Sequence, residues 1–412
     1  MINLIRIAVR NVMRNKRRTM ITLLALIIGV GVMVSVRGLL NGLQGSMIES
    51  TTLGQTGSLQ VHKKGYLKNV LASPLDLDLP SDAAMLNKIL AVPHVTGVAP
   101  RILFGGMVNL DEDTLFVQIF AVDPLREFAA LPKRKELIAA NAADFVSGKV
   151  QNGVVVTDEL AKGLLSGGKR KDFSAPTAIL APDRDGALSA EEAKILGTMT
   201  MTAPGEKKIA LVNLALAQRL LKMEGRATEL AIAIDHIDNM QQVNAALRQT
   251  LGPEYEVHNW DEIALLFRDV VYRQNVVSSI VSAVFMILML LGVANTMLMS
   301  VLDRTREIGT MMAVGVRRSK ILTLFLLEAL TIGVLGALAG GGVGGLAVFY
   351  MHERTLRIPL PTSPIPFVVV PFVTWQYIVT IVALAGVGAV VFALYPAFRA
   401  SKMRPVEALA GG

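Results

Sequence analysis

The chain has 412 residues, of which 52% are apolar and only 18% charged, with a mean hydropathy of +0.50. A soluble domain carries about 25% charge, so much of this protein belongs in a membrane. It contains no cysteine, which excludes disulfides, thiolate metal sites, a cysteine nucleophile and a lipid-modified N-terminal cysteine. The net charge of +8 divides unevenly: residues 43–269 hold 23 basic and 28 acidic side chains, which leaves +13 for the hydrophobic remainder. Basic residues that flank apolar stretches set membrane orientation, and without interleaved aromatics they do not make a nucleic-acid surface.

Residues 1–19 form a basic arm that includes Arg6, Arg10, Arg14, Lys16, Arg17 and Arg18. A bilayer takes about 20 apolar residues, and four spans are predicted, at residues 20–42, 271–302, 321–351 and 374–398. The first has an apolar core, Met20–Val36, longer than the ~7–15 residues of a signal peptide, and no A-x-A-like site follows, so it is expected to remain as a helix. The arm, the link at 303–320 (Arg304, Arg306, Arg317, Arg318, Lys320) and the tail at 399–412 are basic, which places all three in the cytoplasm. The insert at 43–270 and the loop at 352–373 then lie on the other side.

The insert reads as α+β. Residues 58–62 alternate like a strand, and ILFGGMVNL followed by TLFVQIFAV reads as two strands around the acidic turn at 111–113. Residues 229–235 (ELAIAID) form another strand, Met240, Val243, Leu247 and Leu251 share one helical face, and YEVHNW resumes as a strand. The apolar stripe Ile263, Leu266, Phe267, Val270 and Val271 suits two arrangements equally: a helix continuous with the second span, or an amphipathic helix that only packs on the insert.

Chemistry-bearing motifs are sparse. GLLSGGKR at 163–170 approaches a phosphate-binding loop, but Arg170 stands where a hydroxyl must hold magnesium, so a glycine-rich surface loop is expected. APDRDGALSAEE at 181–192 approaches a calcium loop, but Ala181 stands where the first acid belongs. The simpler expectation there is an Asp-Gly turn and then a helix capped by Ser189 and Glu192. His62, His94, His236, His258 and His352 show no ligand spacing.

Gly336, Gly340 and Gly344 repeat every fourth residue along the third span, a stripe that suits close helix packing within the chain or in a dimer. Glu328, inside that span, is expected to face protein or the cytoplasmic boundary, because an unpaired charge in lipid is costly. In the link, Ile308, Met311 and Met312 share one face of a short amphipathic helix suited to docking in a partner's groove.

The stretch NTMLMSVLDRTREIGTMMAVGVRRSKILTLFLLEALTIGVLG, 295–336, resembles the signature of MacB/FtsX-type ABC transporter permeases. YPAFRASKMRPVEAL, 395–409, is similar to their C-terminal motif, and AVRNVMRNKRRTMIT, 8–22, to their N-terminal one except that Val9 interrupts it. The resemblance implies a multi-pass permease of the bacterial inner membrane with its large domain in the periplasm. It implies a second permease copy, identical or not, and a cytoplasmic ABC ATPase dimer that binds ATP and magnesium, with no cofactor in this chain. Arg304, Arg306, Glu307, Gly309, Met312 and Gly315, with Met311 beside them, match the ATPase-coupling motif; Tyr395, Pro396, Ala397 and Pro405 match the tail motif.

Three branches of the family compete. MacB-like pumps, which work with a periplasmic adaptor, carry their ATPase on the same chain, whereas only 19 residues precede Met20. FtsX-like regulators of cell-wall hydrolases have a smaller outer domain. Lipoprotein-releasing (Lol-type) permeases have a large insert, no fused ATPase and an opening strand that resembles TGSLQVHKKGY, 56–66. That resemblance leads to the expectation of lipoprotein or other lipophilic cargo, with a periplasmic chaperone or adaptor as a further partner.

Overall fold

All four apolar stretches lie in long helices in the computed structural model, which describes residues 16–110, 113–165, 173, 176–200, 208–358 and 367–402. They are α1 (Lys16–Thr51), α2 (Leu265–Asp303), α4 (Arg318–Arg354) and α5 (Trp375–Ser401), with the short α3 (Thr305–Ala313) between α2 and α4. Each long helix is apolar and long enough to cross a membrane. The described residues divide into two compact units, one comprising 16–46, 271–358 and 368–402 and the other built on 47–270.

At the entrance to α2, the backbone at Ala264 leaves helical geometry (φ −91°, ψ 60°) and separates the short turn Trp260–Ile263 from α2. Of the predicted stripe, Ile263 thus precedes the break, while 266–271 lie in the same unbroken helix as the second span.

The insert contains β1 (Leu59–Lys63), β2 (Leu79–Pro80), β3 (Val95–Leu110), β4 (Asp113–Val122), β5 (Gly153–Thr157), β6 (Thr177–Pro182), β7 (Leu188–Met199), β8 (Ile209–Asn213), β9 (Arg226–Ala227), β10 (Glu229–Ile234) and β11 (Tyr255–Asn259). Nine of these make one mixed sheet in the order β11-β1-β10-β3-β4-β8-β5-β7-β6, and β6 pairs back onto β3. The long strand β3 therefore serves two layers. Its first half pairs with β10, and its second half pairs with both β4 and β6, which closes a six-stranded ring.

Each layer buries its own core. Inside the ring, Ile102, Phe104, Val117, Ile119, Val154 and Ile179 pack with Leu216 and Leu220 of the helix Leu214–Leu221. On the open part, Leu59, Val61, Leu230 and Ile232 meet Val243 and Leu247 of the helix Met240–Leu251, as the period-3.6 pattern predicts. Helix starts follow local capping: Asp82, Thr157 and Asn213 each accept a hydrogen bond from a backbone N–H of the following first turn.

One expectation is overturned. No helix follows the Asp183–Gly186 turn; Leu188–Met199 is β7, paired antiparallel with β6 from Pro182↔Leu188 to Thr177↔Ala193. The capping pair Ser189 and Glu192 is a local preference, and strand pairing on both sides of β7 outweighs it. Asp183 accepts hydrogen bonds from the Asp185 and Ala187 N–H groups and pairs with Lys222 at 2.7 Å, which holds its carboxyl below the usual range. It is a turn-forming residue. The glycine-rich stretch at 166–170 lies outside the described residues.

Candidate coupling and substrate sites

The link between α2 and α4 is built to stop and restart. Helical geometry breaks at Arg304 (φ −110°, ψ 17°), and α3 begins at Thr305. It ends at Gly315, where φ of +90° lets the Gly315 N–H reach the Met312 carbonyl and the Val316 N–H reach the Met311 carbonyl, both at 3.0 Å. This double closure needs a residue at home in the left-handed region, which is the physical reason for glycine there.

The faces of α3 differ from the sequence expectation. Ile308 and Gly309 are buried, and Met311 and Met312 are half-buried against Val301, Ile321 and Phe325 of the adjoining spans. The methionine face thus serves the chain's own bundle, and the surface left open includes Arg306, Glu307, Thr310 and Ala313, with Val314 just beyond the helix 81% exposed. The pattern marks an amphipathic helix correctly but does not say which neighbour takes the apolar face.

Arg304 joins three elements. Its Nε donates to Glu307 Oε2 at 3.1 Å, its Nη1 donates to Glu328 Oε2 at 3.3 Å, and its guanidinium lies 5.8 Å from the Phe325 ring centroid. Glu328 is buried, and Arg304 pairs with it there. Sequence reasoning singles out both residues separately but misses the pairing; the one cue is an acid inside a span near a basic cytoplasmic link.

The glycine stripe packs within the chain. A Cβ on Gly336 would fall 2.8 Å from Leu26, on Gly340 2.9 Å from the Ile27 carbonyl, and on Gly344 2.7 Å from the Gly31 carbonyl, all on α1. Backbone-to-backbone approach of this kind is what glycine permits in lipid. Of the tail motif, Pro396 and Ala397 sit on the buried face of α5, where Ala393, Ala397 and Ala400 join the core around Phe325, while Tyr395 is exposed. Pro405, like the arm at 1–15, lies outside the described residues.

A groove of about 360 Å³ runs between α1 and α2, within the ~300–1,000 Å³ usual for ligand sites. Its walls are apolar (Val32, Val36, Leu40, Val277, Val281, Phe285), and Arg37, Arg273 and Gln274 line the part nearer the insert in sequence. Arg37 donates to Asn275 Oδ1 at 3.0 Å and stacks over Tyr377 at 5.8 Å, so its charge is held in place. No group of His, Cys, Asp or Glu among the described residues could hold a metal ion.

Comparison with known proteins agrees with this layout. The chain matches the MacB-like periplasmic core domain over residues 19–250 and the FtsX-like permease C-terminal region over residues 279–405. The macrolide export ATP-binding/permease protein MacB of Neisseria meningitidis serogroup A is 25% identical over 417 residues, covering 98% of this chain and 60% of that protein. The MacB of Hyphomonas neptunium is 31% identical over 232 residues, covering 55% of this chain and 34% of that protein. The chain thus spans at most about 60% of the length of these curated relatives. Among solved structures, the periplasmic region of MacB from Actinobacillus actinomycetemcomitans aligns with a TM-score of 0.37 at 9% identity, over 53% of this chain and 95% of that one. The extracellular domain of the transporter YknZ, from Gram-positive bacteria, aligns with a TM-score of 0.34 at 12% identity, over 49% of this chain and 99% of that one. With both family matches in place and a large domain between its first two candidate spans, the chain belongs to the MacB/FtsX-type ABC transporter permeases and is a multi-pass inner-membrane protein with a periplasmic domain.

Proposed function

We propose that this chain is a permease subunit that extracts lipoprotein or another lipophilic substrate from the outer leaflet of the inner membrane. ATP and magnesium are bound by a partner ABC ATPase dimer, and two permease copies, identical or not, carry its motion outward. The observation that carries this reading is the groove between α1 and α2, with apolar walls for an acyl chain and fixed cationic and amide groups for a headgroup. Moving each acyl chain out of lipid costs about 0.8 kcal/mol per methylene, so a triacyl anchor approaches ~30 kcal/mol. Spontaneous release over that barrier occurs on the order of 10⁻⁹ per second, so such a cargo requires an energy source.

Supporting the coupling role, Arg306 and Glu307 of α3 and Val314 just after it are exposed, and Arg304 ties α3 to α4 through Glu307 and Glu328. A stroke received by α3 passes to the spans and along α1 and α2 to the insert. The full-length relatives are named for macrolide export, which favours, as a second reading, efflux of a small amphiphile with a periplasmic adaptor. Neither reading places a catalytic residue in this chain.

The test is release of a fluorescent triacylated lipopeptide from vesicles of phosphatidylethanolamine and phosphatidylglycerol that contain the permease and its ATPase. Val36→Trp and Val277→Trp fill the groove and should abolish release while ATP hydrolysis continues. Undiminished release from both variants refutes the lipid reading, and release of a macrolide alone decides for the second.

A further inference from the structure

Where α1 ends, the insert holds a buried ion cluster that the coupling motif does not include. Residues 47–56, the last part of this helical segment, belong to the insert's unit. After Thr51 the backbone widens into one π-helical turn, Thr52–Thr56, and stops at Gly57 (φ +83°), from which β1 sets out. The turn's Gln55 carbonyl accepts a hydrogen bond from Arg101 Nη1 at 2.9 Å. The same guanidinium grips Glu127 with two N–H groups, at 2.9 and 2.7 Å, and reaches Glu229 at 3.3 Å. Arg134 donates to Glu127 at 2.7 Å, and His62 Nε2 lies 3.8 Å from Glu229.

Arg101 is 1% exposed and Glu127 is fully buried. Both arginines and both glutamates are buried, so the cluster is intolerant of losing a member. Burial opposes the Arg101 charge, yet Glu127 and Glu229 outweigh it and raise its pKa, so the cation persists at any physiological pH. The carbonyls that close a helix carry its negative dipole end and are left without helical donors; a fixed cation satisfies both needs.

The location bears on mechanism. β1 pairs with β11 (Leu59↔Asn259), and β11 leads through Trp260 toward α2, so the strands that follow α1 and precede α2 are neighbours. Arg101 sits on β3, the strand shared by both layers of the insert.

We infer that Arg101 is a positioning residue for force transfer: with Glu127, Arg134 and Glu229 it locks the π-helical end of the first span to β3, so that motion of that helix reaches both layers of the insert. The inference rests on the mechanical reading above and deepens it. Arg101→Lys is the informative variant, because it keeps the charge but cannot hold Glu127 with two N–H groups and also reach Gln55. In the reconstituted permease with its ATPase, it should leave ATP hydrolysis within about twofold and cut lipopeptide release about tenfold or more, within the span of a coupling free energy. It should also remove the nucleotide-dependent change in hydrogen exchange across the insert.

A covalent bypass separates this role from plain folding. A Cβ on Gly54 would lie 3.9 Å from the Lys133 Cβ, inside the ~3.5–4.5 Å of a disulfide, and the chain has no other cysteine to compete. Adding Gly54→Cys and Lys133→Cys to Arg101→Lys should restore release when oxidised and lose it again on reduction. Unchanged release from folded Arg101→Lys, or no restoration by the oxidised cross-link, overturns the inference. If Arg101→Lys does not fold, the cross-link in the otherwise unaltered chain decides: equal release in both redox states supports a rigid joint, and loss on oxidation overturns it. If the unaltered protein releases no lipopeptide, the cargo reading fails while the hydrogen-exchange comparison still judges the joint.

Discussion

Two glycines on one helix should respond in opposite directions to the same substitution. A Cβ on Gly340 would lie 2.8 Å from Val30 Cβ, 2.9 Å from the Ile27 carbonyl oxygen and 3.1 Å from Ile27 Cα, whereas a Cβ on Gly342 meets nothing within 4 Å. Normal carbon contacts fall at ~3.5–4.0 Å, so Gly340→Ala must displace α1 backbone by several tenths of an ångström. Overpacking of that kind costs about 1–3 kcal/mol, partly offset by about 1 kcal/mol of better helix propensity. Gly342→Ala collects the propensity gain without the clash. The net expectation is a loss of about 0–2 kcal/mol for Gly340→Ala and a gain of up to about 1 kcal/mol for Gly342→Ala, a separation of about 1–3 kcal/mol. Equilibrium unfolding of the two variants in mixed micelles measures it. Equal stability, or a more stable Gly340→Ala, would refute the claim that the stripe is a backbone contact between the first and third spans.

Two other expectations concern charges. Arg304→Ala removes the buried ion pair with Glu328 and should destabilise the bundle, with ATP hydrolysis uncoupled from release; adding Glu328→Gln should recover part of the stability but not the coupling, which a double-mutant cycle checks. In the insert, His94 and then Asn239 hold the Asp235 carboxyl down at about 2. A carboxyl with a lowered folded pKa contributes stability fully above its ordinary value of 3.8 and loses it as pH falls toward about 2. Thermal melts between those pH values should fall more steeply for the unaltered protein than for Asp235→Asn, and parallel slopes would contradict the assignment.

What could be read in advance was whatever one segment signals by itself. The spans declare themselves by sustained apolarity, β4 by alternation, and the helix Met240–Leu251 by a stripe whose Val243 and Leu247 are fully buried. Where a local preference competes with pairing, the preference loses. Ser189 and Glu192 favour a helix start, yet Ala193, Ile195 and Met199 of β7 alternate into the core because β6 and β5 are there to pair. The inward face of Met311 and Met312 depends likewise on which helices the bundle sets beside them.

The linear chain alone determined its class, which residues are costly to bury, Glu328 and the basic link, and, in the glycine stripe, where a helix can be closely approached. Those conclusions rest on the size of each side chain and the free energy of placing it in lipid or water, properties of each residue. Only the tertiary structure decided the partners: Arg304 with Glu328, Gly340 with the Ile27 backbone, and Arg101 with a carbonyl 46 residues earlier. Desolvation penalties can be read from a sequence; the interactions that offset them depend on which distant atoms the fold brings within 3 Å or so, which no window of sequence contains.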